Sequence, residues 1–446
     1  MGIRMPGATS GLFDPKVVKQ LIEVEKQPIE AAKLRKQKIV EEKDEIEKLQ
    51  GFLSDLDVSL NGLKSKADFY KMKVESSHPD IVDGVVEGFT ITGTYEFEVR
   101  GLAKAEKELA YGFPDKNESP VGFGYMWIER DDKEEVEVVI EPGSTLQDVA
   151  TAINDQQAGV KAMVINTKYK PDPYRLLVIS EKSGKESKVY IDEDTTFLEF
   201  KEQVSGRNLD LLFEDVPVTD EDNTLEDLVD GVVFFIKRSE PGTRVQVGIV
   251  FDLDTTMEGI KNFVEKYNEV ATFIHDQYQI DGETNRAGLL ASDGTIKTIM
   301  RNLQNSFLDL TGGKGKFGTL AEIGITTDPK TGKLNLSEQK VRQSLAEDYE
   351  GVASLFVRGP DTLGVAGKLA LKLRELRDPV NGVIRSRIRG LDKIIENQDQ
   401  AIERKERAFA KKEESIKRRF ASLEGQLSGL KSQGDFLSAR FNQGKK

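Results

Sequence analysis

Near its end the chain carries a large apolar residue at every seventh position: Ile388, Ile395, Ile402, Phe409, Ile416, Leu423, Leu430 and Leu437. Seven residues make almost two helical turns, so this spacing fixes one long helix with a single apolar stripe. A companion stripe is polar in its middle, where Gln398 and Lys405 stand in place of apolar residues. It turns apolar again, one residue later in register, at Phe420, Leu427 and Phe441. A helix from Val383 to Phe441 is roughly 85 Å long at 1.5 Å per residue. So thin a stripe cannot hold a lone helix in water, and the segment needs a partner.

The other end offers one. Helical patterning begins at Asp14, with Pro15 in the first turn, and Pro28 is expected to bend or restart the helix. Downstream, Ile46, Leu49, Leu53, Leu56, Leu60, Leu63 and Ala67 recur at steps of three and four, the seam of a coiled coil. Gly51 and Gly62 weaken it, each by roughly 1 kcal/mol relative to alanine. Leu21, Ile22, Ile46, Leu49, Leu53 and Leu56, with Ile402, Phe409, Ile416, Leu423, Leu430, Leu437 and Phe441 at the far end, form the candidate contact surface. The two ends are expected to pair, at least in part.

Between them the period changes from helical to alternating. Residues 86–103 alternate around Phe89, Ile91, Tyr95, Phe97 and Val99. Residues 134–166 read as strand, turn, short helix and strand, with Ser144 as the expected cap and Leu146, Val149, Ala150 and Ile153 on one face. Residues 230–252 read as a hairpin turning at Pro241-Gly242. From Asp254 helices return, amphipathic through Ile260, Phe263, Val264, Tyr267, Val270 and Ile274. The fold class is α+β: long terminal helices forming a coiled-coil stalk, a helical-bundle body with a β-hairpin, and inserted β-rich head domains. The expected divisions are a leg helix at 1–40, disordered in the free subunit, and a body at 41–75 plus 253–400. An inner head at 76–110 plus 205–252, an outer head at 111–204 and a C-terminal leg at 401–446 complete the list.

One short stretch stands apart from the helices around it. In residues 320–341, Ile325 and Thr327 alternate before a turn of Asp328-Pro329-Lys330-Thr331-Gly332, and Leu334 and Leu336 alternate after it. Ser337 follows at a cap position, with Leu336 and Val341 placed for a hydrophobic staple.

Little here points to catalysis. The chain has no cysteine, which removes disulfides, thiolate nucleophiles and the common zinc sites together. That fits a cytosolic protein, and equally one that travels unfolded through a secretion channel. A net charge of −13 argues against general nucleic-acid binding, which needs a basic surface. The acidic run from Asp210 to Asp230 and the Arg/Lys-rich run from Arg374 to Arg419 read as solvated faces. The first residues lack the apolar core of a cleavable signal peptide, and no apolar run reaches membrane-spanning length. Of the two histidines, His78 precedes Pro79 and His275 lies on a helix, each without the convergent groups a site requires. Residues 311–319 fail the phosphate-loop pattern. Residues 220–227 fail the calcium-loop pattern because Leu225 occupies the glycine position, and they read as an acidic turn leading to a capped helix. No enzyme, cofactor or metal is expected.

Five stretches, in order, carry a resemblance. Residues 12–37 include Leu21, Glu25 and Gln27-Pro28; residues 144–180 include Leu146, Ile153, Asn154, Gly159, Val160 and Ala162. Phe263, Val264, Tyr267 and Asn268 follow, then "GLLASDGTIKTI", then Gly324, Ile325, Asp328, Gly332, Lys333 and Leu334. Together they resemble the flagellar filament-capping family (FliD, hook-associated protein 2). The resemblance implies a non-enzymatic assembly factor at the distal, extracellular end of the flagellum, exported without a cleavable signal. It implies a homo-oligomeric ring, flagellin as partner, an export chaperone acting through the C-terminal region, and adhesion as a further role. It implies no nucleic acid and no membrane insertion. The hairpin is then expected to brace the helical body. Rival readings are another axial protein of the hook-filament junction, an adaptor of a secretion-built appendage, and an enzymatic head.

Overall fold

The computed structural model describes residues 15–443, apart from Phe89 and residues 131–132, 281–286, 308–314 and 358–362. The chain opens with α1 (Pro15–Ser59) and a short α2 (Lys66–Phe69). It then forms β1 (Met72–Ser76), β2 (Val82–Val86), β3 (Gly93–Gly101), β4 (Lys107–Phe113), β5 (Gly124–Arg130) and β6 (Lys133–Ile140). After α3 (Leu146–Asp155) come β7 (Val160–Asn166), β8 (Tyr174–Ser180), β9 (Val189–Glu193), β10 (Lys201–Val204) and β11 (Leu209–Phe213). β12 (Val216–Asp220), β13 (Thr224–Val229), β14 (Val232–Ile236) and β15 (Val245–Phe251) complete the insert. The remainder is α4 (Leu253–Tyr278), α5 (Gly294–Asn305), β16 (Ile325–Thr327), β17 (Leu334–Leu336), α6 (Glu338–Glu347), α7 (Tyr349–Phe356), α8 (Val365–Arg377) and α9 (Val383–Gln443). Two compact units result, residues 1–69 with 254–446, and residues 70–253.

In the helical unit, Ile46, Leu49, Leu53 and Leu56 of α1 are fully buried, as are Ile260, Phe263, Tyr267 and Val270 of α4. α1 packs on α8 and α9, and its Phe52 ring lies 5.5 Å from Phe273 of α4. α1 runs unbroken through Pro28, so the restart expected there does not occur. Pro28 sits on the exposed side of the helix, and so does Val24, whose carbonyl loses its partner and is left to water.

The inserted unit holds two β-domains. The first packs the sheet β1-β15-β3-β11-β12 on the sheet β13-β14-β2, with Phe97 and Phe234 meeting across the core at 5.0 Å. The second packs β10-β4-β8-β7 against β6-β5-β9, and α3 closes their common core through Leu146, Val149, Ala150 and Ile153. The expected boundaries at 75/76 and 110 fall inside strands. β1 pairs with β15 of the first β-domain, whereas β4 pairs with β8 and β10 of the second.

Five local expectations are corrected. β14 and β15 are not a hairpin: β14 pairs with β2 and β13, β15 with β1 and β3. Both bury alternate residues in one core from opposite sheets, and the linker crosses between them, Lys237 donating to the Ile81 carbonyl and Glu240 to that of Val99. The acidic turn at 220–223 leads to strand β13, not a helix, because Leu225 pairs opposite Phe234 and sits in that core. The cap of α3 is Thr145, not Ser144: Thr145 and Asp148 form a reciprocal capping box. Ser337 holds the cap position of α6, but its hydroxyl makes no capping bond. Of the expected strand at 86–103, Val86 ends β2 and only Gly93–Gly101 forms a strand of its own, and Ile91 is exposed; Phe89 lies outside the described residues.

Candidate functional site

The two terminal helices run antiparallel and are registered by charge. Lys43 Nζ lies 2.7 Å from Asp392, Lys36 2.6 Å from Asp399, Lys33 2.8 Å from Glu406, and Lys412 2.6 Å from Glu25. The charge-assisted bond to Glu406 raises the pKa of Lys33, and that to Asp392 raises the pKa of Lys43. All four pairs are solvated, so they set register and partner orientation more than stability, and salt screens them. The sequence reading did not name this ladder, although its signal was present: Asp392, Asp399 and Glu406 recur at seven, each four residues after Ile388, Ile395 and Ile402.

Apolar burial along the pair thins outward. Ile384, Ile388 and Leu391 are buried against the helical unit. Farther out only a small cluster remains, Ile29 and Ala32 of α1 with Ile402 of α9, Phe409 packing beside it. Gln398 is half-buried and Lys405 exposed. Of the other candidate contact residues, Ile22 and Ile416 are half-buried, while Leu21, Leu423, Leu430 and Leu437 are exposed by 41, 44, 62 and 53%. Phe441 lies on α9, but its side chain is outside the described residues. Extending the register of the Glu25–Lys412 pair puts Pro15 opposite about residue 422 at equal rise on both helices. Beyond that point α9 continues to Gln443 with no described part of α1 beside it. Among the described residues, the heptad stripe extends past the part of α1 that lies beside it.

The family-motif residues are scaffold, and two of them work alike. Asn268 on α4 donates from Nδ2 to the Leu334 carbonyl (2.8 Å) and accepts from the Leu334 N–H (2.7 Å), pinning the β16–β17 ribbon to the helix. Asn154 on α3 makes the same pair of bonds with Ala162 on β7, both 2.9 Å. The ribbon registers Ile325 with Leu336 and Thr327 with Leu334. Asp328 closes its turn by accepting the N–H groups of Lys330 and Thr331, and the Thr331 bond foremost holds its carboxyl below the ordinary range. Gly332 has a positive φ of 73°, and a Cβ there would stand 2.5 Å from Met300 on α5. Gly324 likewise has φ +97°. Tyr267 is fully buried, and burial raises its hydroxyl pKa.

No catalytic constellation gathers around these residues. His78 shares a hydrogen bond with Ser77, and His275 with Gln279, each a near neighbour in sequence. Among the described residues, no group of three His, Asp or Glu side chains is placed to hold a metal, and no helix is long and apolar enough to cross a membrane.

A β-rich unit inserted in sequence within a helical unit whose two ends pair as long antiparallel helices, with no catalytic constellation among the described residues, is the arrangement of a structural rather than a ligand-binding site. Residues 10–106 match the family described as flagellar hook-associated protein 2 N-terminus, and residues 206–432 match its C-terminus. The chain is 27% identical over 376 residues to the B-type flagellar hook-associated protein 2 of Pseudomonas aeruginosa, covering 77% of each protein. It is 25% identical over 360 residues to the flagellar hook-associated protein 2 of Escherichia coli, covering 75% of this chain and 76% of that one. The crystal structure of the D1-D2-D3 domains of the flagellar cap protein FliD from Escherichia coli superposes with a TM-score of 0.61 at 23% identity, over 78% of this chain and 99% of that chain. The protein belongs to the flagellar hook-associated protein 2 family.

Proposed function

We propose that this protein caps the flagellar filament as a non-enzymatic, homo-oligomeric assembly factor at its extracellular tip. It retains exported flagellin there and promotes its folding and insertion. The carrying observation is the C-terminal heptad stripe, which continues past the described part of α1 with Leu423, Leu430 and Leu437 exposed among the described residues. A stripe of this kind is stable only against a second apolar surface, and at a growing filament end that surface belongs to flagellin or a neighbouring cap subunit. The pairing of α1 with α9 suits a leg that must release and rebind as each subunit enters, because solvated ion pairs and one small apolar cluster hold its outer half. The same stripe is where an export chaperone would shield the chain before assembly. Adhesion through the inserted unit is a further role that family membership allows.

The outer parts of the legs, residues 1–40 and 410–446, are expected to fray in the free subunit. Limited proteolysis of dilute protein should remove them first; ends as resistant as the helical unit would contradict this. The function itself is tested in cells lacking the chain. Missing filaments with abundant monomeric flagellin in the culture fluid is the expected result. Normal filaments would overturn it, and absent filaments without external flagellin would place the defect in export.

A further inference from the structure

Two links carry the chain between the β-domains of the inserted unit, and they run side by side. The first leaves β3 and enters β4, and the second leaves β10 and enters β11. Lys104 and Arg207 exchange backbone hydrogen bonds between them, at 2.8 and 3.1 Å. The turn after β8 joins them, Gly184 donating its N–H to the Lys104 carbonyl at 3.2 Å. Where the three segments meet, the side chains that turn inward are polar. Burial alternates into β4, so Glu106 and Glu108 point the same way as the core residue Ala110. Glu106 is 4% exposed and Glu108 9%. Ser180, the last residue of β8, stands opposite Glu106 and donates its N–H to the Glu106 carbonyl at 3.0 Å, which places the two side chains together on the inner face. That serine is 3% exposed, and its hydroxyl has no hydrogen-bond partner.

Oxygen atoms crowd this corner. The buried Ser187 hydroxyl donates to the Gly184 carbonyl at 2.7 Å, and the Gly206 N–H donates to Oε2 of Glu106 at 3.2 Å. A Cβ on Gly206 would stand 2.5 Å from that carbonyl, 2.9 Å from that hydroxyl and 3.4 Å from that carboxylate oxygen. The three oxygens therefore converge, and only glycine fits beside them. Neither Glu106 nor Glu108 makes an ion pair among the described residues. Burial first, then Glu106 and Glu202, push the Glu108 carboxyl upward, and no cation of the chain counters them. Buried charge is stable when it is paired or bound to a metal, and the described residues supply no pairing here.

We propose that this corner binds a calcium ion through the carboxylates of Glu106 and Glu108, the hydroxyls of Ser180 and Ser187, and the Gly184 carbonyl. Two carboxylates balance a divalent charge. Calcium accepts an irregular set of roughly six to eight oxygens, with water completing it, whereas magnesium demands a near-ideal octahedron. The ion ties the first link to the turn after β8, against which the second link already lies, and so stiffens the joint between the β-domains. Its ligands come from separate segments and include only two acidic side chains, so no spacing in the sequence marks the site. The inference does not depend on the cap reading.

The test is calorimetric titration of the full chain, stripped of metal with a chelator, using calcium chloride and separately magnesium chloride. One calcium per chain is expected, with a Kd of about 10⁻⁴–10⁻³ M and a Tm that rises with calcium concentration. Magnesium should bind about tenfold more weakly or worse. Glu106→Gln and Glu108→Gln should each weaken calcium binding about tenfold or more, and Ser180→Ala by a smaller factor. Removing its buried charge leaves Glu108→Gln at least as stable as metal-free wild type, so loss of binding there does not come from misfolding. Glu226→Gln with Asp227→Asn alters the open acidic groove they line with Asp220 and Asp222, and this pair should bind calcium as wild type does. Binding that survives both glutamine variants at the corner overturns the proposal, and its loss in the groove pair instead assigns the ion to the groove. No binding up to about 10⁻² M calcium, well above the range of such sites, overturns it as well. Equal affinity for magnesium overturns the choice of calcium.

Discussion

At the residue scale, one device recurs where the chain fastens an element. Asn154 and Asn268 each use a primary amide to satisfy both the N–H and the carbonyl of a single backbone residue on a neighbouring strand. Asn223 does the same to Ala103 in the first β-domain, at 2.8 and 3.0 Å. Only an amide offers a donor and an acceptor in that geometry, which is why aspartate or serine cannot replace it. Asn268→Ala leaves both Leu334 groups without partners and should cost about 1–3 kcal/mol, measured by denaturant unfolding. Loss of less than half that, with the ribbon still protected in hydrogen exchange, would mean the clip is not what holds it. The resemblance identified Asn154 and Asn268 as motif positions without giving them a task. Their partners lie 8 and 66 residues away, and no periodic signal connects such distances. Asn223 was read only as part of an acidic turn.

At the element scale, heptads were legible and strand partners were not. A seven-residue repeat states its own geometry, so α9 and the seam of α1 follow from the sequence, whereas an alternating strand states which face is buried and not which strand lies beside it. β14 and β15 show the cost, since two well-patterned strands joined by Pro-Gly went to opposite sheets. Pairing also creates a conflict the sequence could not reveal. Glu108 on β4 stands directly opposite Glu202 on β10, an arrangement of like charges that weakens a sheet. Burial first, then Glu106 and Glu202, push the Glu108 carboxyl up to about 7. The folded state therefore holds this proton more tightly than the unfolded chain, whose value is near ~4.3. Stability from this group is full below that value, falls as pH rises to about 7, and is flat above it. Glu108→Gln should match wild type at pH 4 and exceed it at pH 8 by on the order of 1–2 kcal/mol, allowing for screening of the partly solvated carboxyl. Thermal melts at the two pH values check this, and an equal gain at both would contradict it.

At the scale of the whole molecule, the nesting of a β-rich insert between helical ends was readable from the change in hydrophobic period along the chain. The open surface was only half readable. Heptad spacing marked Leu423, Leu430 and Leu437 as seam residues, but their exposure depends on which segment packs beside them, and a repeat does not state that. The central claim is that this exposed stripe engages the filament. Its most direct test is complementation of the deletion strain with the chain carrying Leu423→Glu, Leu430→Glu and Leu437→Glu, comparing filament number and flagellin in the culture fluid with wild type. The account predicts an exported, folded subunit whose cells lose flagellin to the medium and carry few or no filaments. Wild-type filaments from that variant would contradict it.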